Sequence, residues 1–268
     1  MPDTEQNDNN TALISLLERF SDLSGQDRVA LSALNSQVAT FTRREDVLNE
    51  GEAADWLPLV EDGWLAQYRL LDDGRRYVLK FNLPGDVIDG TFPFRENVPY
   101  SVEALTDGRL VLFPAKALTD LIAGSAGIAK AFLLLEGYEH AFLRDRLMTL
   151  TRLTAYERAA HLCLELLTRL EVAGIARDNS FTLPISQSTL SDALGLSAVH
   201  VNRVFGRLEE EGFISRTKNV LRVEDRDALT RICHFRPQAA LSGYTERPAA
   251  KGAQELTSAS RGKDRKSV

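Results

Sequence analysis

The hydrophobic pattern changes period along the chain, and each change marks a different kind of element. From Thr11 to Leu34 the apolar residues fall at helical spacing. Leu13, Leu16, Leu17 and Phe20 share one face, and Leu23, Val29, Leu31 and Leu34 follow around the Gly25-Gln26 break, which predicts short helices. From Val38 to Pro114 the pattern shortens to alternating or apolar runs: Val47-Leu48, Trp56 to Val60, Trp64 to Leu70, Tyr77 to Phe81 and Leu110 to Phe113. Regularly spaced short runs of this kind predict an all-β barrel or sandwich. Asp72-Asp73-Gly74-Arg75 reads as a hairpin turn, and Pro84-Gly85-Asp86 as another. Between Gly124 and Leu150 there is no proline. There Ile128, Phe132, Leu135, Phe142 or Leu143, Leu147 and Leu150 return at three- or four-residue steps, as one face of a long helix. A further helix begins at Thr154 and Glu157 and ends near Gly174, with Ala176 to Ser180 as a link.

The stretch from Ile185 to Val223 carries the densest local signals. Ser186 is placed to cap a short helix whose Leu190, Ala193 and Leu194 share a face, and Gly195 supplies the turn. Ser197 caps a second helix in which Val201, Val204, Phe205 and Leu208 form the buried stripe. His200, Asn202, Arg203 and Arg207 then point outward, the geometry of a helix that enters a DNA major groove. Gly212 ends this helix, and Phe213 to Arg216 and Val220 to Val223 predict two strands around Thr217-Lys218-Asn219, a wing.

Charge complicates the nucleic-acid reading without overturning it. The 268 residues carry a net charge of -6, whereas a DNA-binding face has to be basic. Only the local field needs to be positive, and Arg203, Arg207, Arg216, Lys218 and Arg222 supply it, with Glu209, Glu210 and Glu211 read as a solvated helix surface. The composition, 44% hydrophobic and 26% charged, is that of a soluble globular protein of two domains. No apolar run is long enough to span a membrane, and Met1 to Asn10 lacks the basic and apolar regions of a signal peptide. A cytoplasmic location is expected, with no membrane partner. Residues 1–10 and the Pro-, Ala-, Ser- and Lys/Arg-rich segment after Phe235 read as loose tails.

Enzyme chemistry has little to stand on. The chain holds no Gly-rich phosphate loop, metal-ligand cluster or nucleophile and base pair, and His161 and Cys163, two apart on a helix, point to different sides. Cys163 and Cys233 are too few for a four-thiolate cluster within one subunit and read as small core residues. No metal and no cofactor is expected.

One ordered set of residues is more specific than any of these. Glu50-Gly51, Gly63, Asp73-Gly74-Arg75, Phe81 and Pro84-Gly85-Asp86-Val87-Ile88, followed by a long helix and a winged helix-turn-helix, resembles the CRP/FNR family of bacterial transcription regulators. The resemblance implies an α+β chain: an N-terminal double-stranded β-roll sensor, a long dimerisation helix and a C-terminal winged helix-turn-helix domain. On this sequence the parts fall at 1–11 for a flexible tail, 12–123 for the sensor, 124–152 for the helix, 153–235 for the reader and 236–268 for a disordered tail. It also implies a homodimer that binds a palindromic promoter site in double-stranded DNA, with RNA polymerase as a partner.

The residues that would hold a cyclic nucleotide depart from the family pattern. Gly90 stands where a ribose-binding Glu is expected, and Tyr100-Ser101 where an Arg-Ser pair would hold the phosphate. A buried phosphate without such an Arg lacks compensation for its desolvation, and Arg95 substitutes only in a rebuilt loop. The oxygen-sensing branch needs N-terminal cysteines, and none precedes Cys163. His140, alone on the long helix, reads as an ordinary residue rather than a haem ligand, and Phe92, Phe94 and Tyr100 as pocket fillers. The expectation is a regulator that works without cyclic nucleotide or iron-sulfur cluster; the alternative is one gated by a cyclic nucleotide or another small ligand in an atypical pocket.

In the reader, the resemblance places Arg203 at the family's groove-contacting arginine, suited to guanine O6 and N7. His200 and Asn202 lie within one turn of it, and Ser186, Gln187, Ser188, Ser197 and Lys218 are candidates for backbone contacts, with Arg207 beside them. Val199 replaces a glutamate common in the family and suits a thymine methyl, which implies a half-site related to the usual TGA-containing ones.

Overall fold

A computed structural model describes residues 3–236. Two helices, α1 (Asp3–Glu18) and α2 (Gly25–Ser32), lead into seven strands. Ser24 caps α2 in a reciprocal box with Asp27, and Asn10 donates to the Ser32 and Leu34 carbonyls, fastening α1 to the end of α2. Residues 3–10, expected as a loose tail, are the first half of α1: their polar composition hides a helix that has no apolar face to advertise until Leu13. The expected C-terminal tail lies, from residue 237 on, outside the described residues.

The strands are β1 (Gln37–Phe41), β2 (Asp46–Leu48), β3 (Trp56–Asp62), β4 (Leu65–Leu70), β5 (Arg76–Asn82), β6 (Ser101–Ala104) and β7 (Gly108–Pro114). All pair antiparallel, in one sheet ordered β1-β7-β3 and another ordered β2-β6-β4-β5. Leu57, Leu59, Val111 and Phe113 of the first sheet and Leu65 and Val102 of the second share one core with α1 and α2, so the two sheets close into the expected roll.

The expected long helix starts later and follows a separate one. α3 (Ala115–Gly124) and α4 (Ala126–Arg152) meet at a bend of 116°. Ser125 makes the break: its hydroxyl caps α4 by accepting from the Ile128 amide and donates to Asp27 of α2 at 2.5 Å. The single stripe expected on this helix resolves into two. Ile128, Phe132 and Leu135, continued by Tyr138 and Ala141, are buried against the roll, whereas Leu143, Leu147 and Leu150 belong with Leu133 on an exposed face. Phe142 lies on the first face and Leu143 on the second.

α5 (Ala155–Val172) opens the reader, capped by a Thr154 and Glu157 box. It is followed by β8 (Ser180–Thr182), α6 (Gln187–Leu194), α7 (Ala198–Glu210), β9 (Ile214–Thr217), β10 (Val220–Val223) and α8 (Arg226–Cys233). A second core joins this domain to the outer face of the roll: Trp64, Ala66, Val78, Phe81 and Leu83 pack with Leu164, Leu167, Leu190, Ala193 and Phe205. Cys163 and Cys233 are buried there, and burial pushes their thiols up to about 12 and about 11, so both are core residues. No single described helix is long and apolar enough to cross a membrane.

Candidate nucleic-acid interface

α6 and α7 are set by their caps. The Ser186 hydroxyl accepts from the Thr189 amide at 3.1 Å, and Gly195 ends α6 at φ 64°, ψ 41°, a left-handed conformation that glycine adopts without penalty. The Ser197 hydroxyl then accepts from the His200 amide at 3.3 Å and starts α7. Val201, Val204, Phe205 and Leu208 are buried, so the other face must turn outward: Val199 is 70% exposed, and His200, Asn202 and Arg203 are exposed beside it. β8, β10 and β9 form a three-stranded sheet in that order, and Lys218, at φ 56°, stands exposed in the β9–β10 turn. Ser188 and Gln187 are both exposed at the start of α6.

The expected basic patch is smaller than the sequence suggests. Arg207 is ion-paired with Glu211 at 2.6 Å and lies over the Tyr156 ring. Arg216 is held by Glu209 through two bonds of 2.9 and 2.6 Å and lies over Phe205, and Arg222 is 3.5 Å from Glu224. Glu209 and Glu211 are therefore not a merely solvated surface: hydrogen bonds from Arg216 hold the first below the usual carboxylate range, and bonds from Tyr156 and Arg207 do so for the second. Among the described residues, Arg203 and Lys218 are the members of the predicted set that pair with no carboxylate. Asn202 donates to the Gln187 side chain at 3.0 Å, which locks the two helices together at the surface and fixes both amides in place.

The residues expected at the family's nucleotide contacts are engaged with other groups of the roll and of α4. A Cβ placed on Gly90 would lie 2.5 Å from Oε1 of Glu136 on α4, so the glycine makes room for that carboxyl group. Tyr100 is buried and donates to Asp89 at 2.9 Å, with its ring against Phe92, and the Ser101 hydroxyl accepts from the Glu50 amide. Phe94 corrects the expectation of three filling aromatics, since it is 61% exposed. Arg95 is exposed and donates to Thr91 at 2.6 Å, away from a phosphate role. His140 is exposed on α4, and no cluster of metal-binding side chains is found among the described residues.

Glu136 was invisible in the sequence reading, because only its 46-residue separation from Gly90 in the chain is legible there. Burial, then the nearby Asp89 and Glu139, raise its pKa to about 7, with Lys80 and the Gly90 amide acting in the other direction. A carboxyl whose folded pKa exceeds its unfolded one binds a proton on folding, so its contribution is complete below the ordinary glutamate range and is lost as pH rises through about 7. Lowering pH from 8 to 6 spans only about one pH unit below that pKa and is expected to stabilise the protein by at most about 1 kcal/mol after allowance for solvent screening. Thermal unfolding of Glu136→Gln should lack that gain; an identical pH profile would place the titrating group elsewhere.

A sensor roll, a helix with an exposed leucine seam and a reader with an outward-facing second helix define a winged helix-turn-helix transcription regulator. Comparison with known proteins agrees part by part: the cyclic nucleotide-binding domain model matches residues 38–125, and the Crp-like helix-turn-helix domain model matches residues 157–232. The nitrogen fixation regulation protein FixK of Azorhizobium caulinodans is 30% identical over 214 residues, covering 79% of this chain and 85% of that protein. The transcriptional activator protein FnrL of Cereibacter sphaeroides is 27% identical over 180 residues, or 66% of this chain and 71% of that one. The solved structure of FixK2 from Bradyrhizobium japonicum superposes with a TM-score of 0.67 at 26% identity, covering 74% of this chain and 98% of that chain. The chain belongs to the CRP/FNR family and is a DNA-binding transcription regulator of the FixK and FNR type, not an enzyme.

Proposed function

We propose that the protein binds a palindromic promoter site as a homodimer and acts with RNA polymerase in the cytoplasm, without cyclic nucleotide or iron-sulfur cluster. The observation that carries the nucleotide-independent part is Tyr100: where a cyclic phosphodiester would need a cationic donor, the chain buries a tyrosine that donates to the Asp89 carboxylate, and the Glu136 carboxyl fills the space over Gly90. The dimer rests on the exposed leucine face of α4, and a two-fold pair of readers suits two half-sites one DNA turn apart. The test is selection from a randomised duplex pool at fixed salt, with and without cyclic AMP. Enrichment of one palindrome in both conditions supports the reading, and enrichment only with the nucleotide overturns it.

Within the reader, Arg203 and Val199 are assigned to base edges, with His200 and Asn202 adjoining, and Ser186, Gln187, Ser188, Ser197 and Lys218 to the phosphates. Arg207, engaged with Glu211, is the weakest member of the set. Arg203→Ala should cost about 1–3 kcal/mol on the selected site and relax one base pair, whereas Lys218→Ala should weaken specific and random duplexes alike. Equal losses on both duplexes for Arg203→Ala would remove it from base reading.

A further inference from the structure

The boundary between sensor and reader is built on the free edge of one strand. β5 ends the four-stranded sheet, so its outward carbonyls have no neighbouring strand to pair with. Two arginines supply the missing donors. Nη2 of Arg146 on α4 donates to the Val78 carbonyl at 3.1 Å and to the Ala193 carbonyl, in the last turn of α6, at 2.7 Å. Nη2 of Arg169 on α5 donates to the Phe81 carbonyl at 2.9 Å and to the Asp86 carboxylate at 2.5 Å. On the strand itself, Arg76 pairs with Glu103 and lies 3.9 Å from Asp192 of α6.

Arg146 differs from the others in joining three parts at once. It stands on α4, one turn from the exposed seam residues Leu143 and Leu150, and a single nitrogen holds both the sensor's edge strand and the first helix of the helix-turn-helix. The carbonyls at a helix C-terminus carry partial negative charge, so a guanidinium there is electrostatically matched. Burial pulls the Arg146 guanidinium below its ordinary range while Glu165 opposes the shift. Arg158 makes a similar bond to the adjacent Leu194 carbonyl at 3.0 Å, but from α5, inside the reader.

We infer that Arg146 is a positioning residue for DNA recognition: by tying α6 to α4 it fixes the separation and angle of the two recognition helices in the dimer, and so sets the half-site spacing that the protein accepts. The inference rests on the palindrome-binding dimer proposed above. Without the clamp, the covalent link from α4 to the reader is the short turn at Leu153, between the end of α4 and the cap of α5. The reader keeps its shared core with the roll and the Arg169 bonds to β5, so losing the clamp loosens the angle between α4 and α6 without freeing the reader, and the protein then tolerates more spacings than the clamped form.

The test measures full-length wild type, Arg146→Ala, Arg146→Lys and Arg158→Ala on duplexes whose two half-sites are moved one base pair at a time, and on a single half-site. Wild type should lose about tenfold in affinity for each one-base-pair displacement. Arg146→Ala should reduce that penalty to about threefold or less and keep single half-site affinity within about twofold, with Arg146→Lys between the two. Arg158→Ala, which loses a similar bond at the same helix end, should keep the full penalty. An unchanged spacing penalty in both Arg146 variants overturns the inference, as does an equal relaxation in Arg158→Ala. If Arg146→Ala does not fold, Arg146→Lys decides alone. A wild type that binds two half-sites no better than one would instead overturn the dimer reading, and this inference with it.

Discussion

Leu147→Asp should lower affinity for a two-half-site duplex by about a hundredfold while leaving affinity for one half-site within about twofold. Leu147 is 64% exposed on α4, and Leu133 is 72% exposed on the same face. These two are separated by fourteen residues and Leu143 and Leu150 by seven, both whole heptads, and the steps of four and three from Leu143 to Leu147 to Leu150 are the alternation of a and d positions along a coiled-coil seam. Four leucines left in water on one helix are costly unless a second surface covers them, and a second copy of the same stripe is self-complementary across a two-fold axis. An aspartate at Leu147 would face its own symmetry mate or that mate's neighbours in an apolar seam, where an unpaired charge is strongly disfavoured. Leu147 is exposed and takes no part in the neighbouring Arg146 bond to α6, so binding of each half-site survives and the coupling between them is lost. Sedimentation and duplex binding read both effects, and a variant that stays dimeric with unchanged affinity would exclude α4 as the seam.

Gly108→Ala is expected to destabilise the sensor by about 3 kcal/mol, because overpacking here meets backbone rather than a flexible side chain. Gly108 opens β7 and pairs with Phe41 of β1. A Cβ on it would press on the Asp62 carbonyl oxygen and lie 2.5 Å from Cζ of Phe41, whose ring is buried. The carbonyl belongs to the β3 register, in which Asp62 pairs with Arg109, so it cannot retreat without breaking the ladder. Phe41 in turn is held by the core beneath it. A fall in Tm of roughly 5–10 °C would follow. No change in Tm would mean that the β3–β4 turn yields more readily than its pairing implies.

How much of this was legible in the sequence depended on whether the governing contacts were local. The helix-turn-helix was read correctly from Ser186, Gly195 and Ser197, because caps and a left-handed glycine act within one turn of their own position. The roll was legible from turns and from the ordered glycines of a known family. By contrast, the division of α4 into a buried face and an exposed one was hidden, since apolar periodicity records that a face is covered but not by what. The short β6 was missed for a related reason: with four residues it offers too little alternation to register. The basic patch was overestimated because the partner of Arg216 is brought near by the packing of the wing on α7, and composition counts charges without their neighbours. Glu136, Arg146 and Arg169 all act across more than forty residues of chain, beyond the reach of any local pattern.

The carboxylates beside the wing also govern how the protein responds to ionic strength. With Arg207, Arg216 and Arg222 each beside a carboxylate of its own, fewer unpaired cations face the ions condensed along a duplex. Fewer released counterions give a weak hold on arbitrary DNA and a shallow decline of affinity as salt rises. The contrast between the right sequence and the rest then survives conditions that would strip a more basic protein from its site.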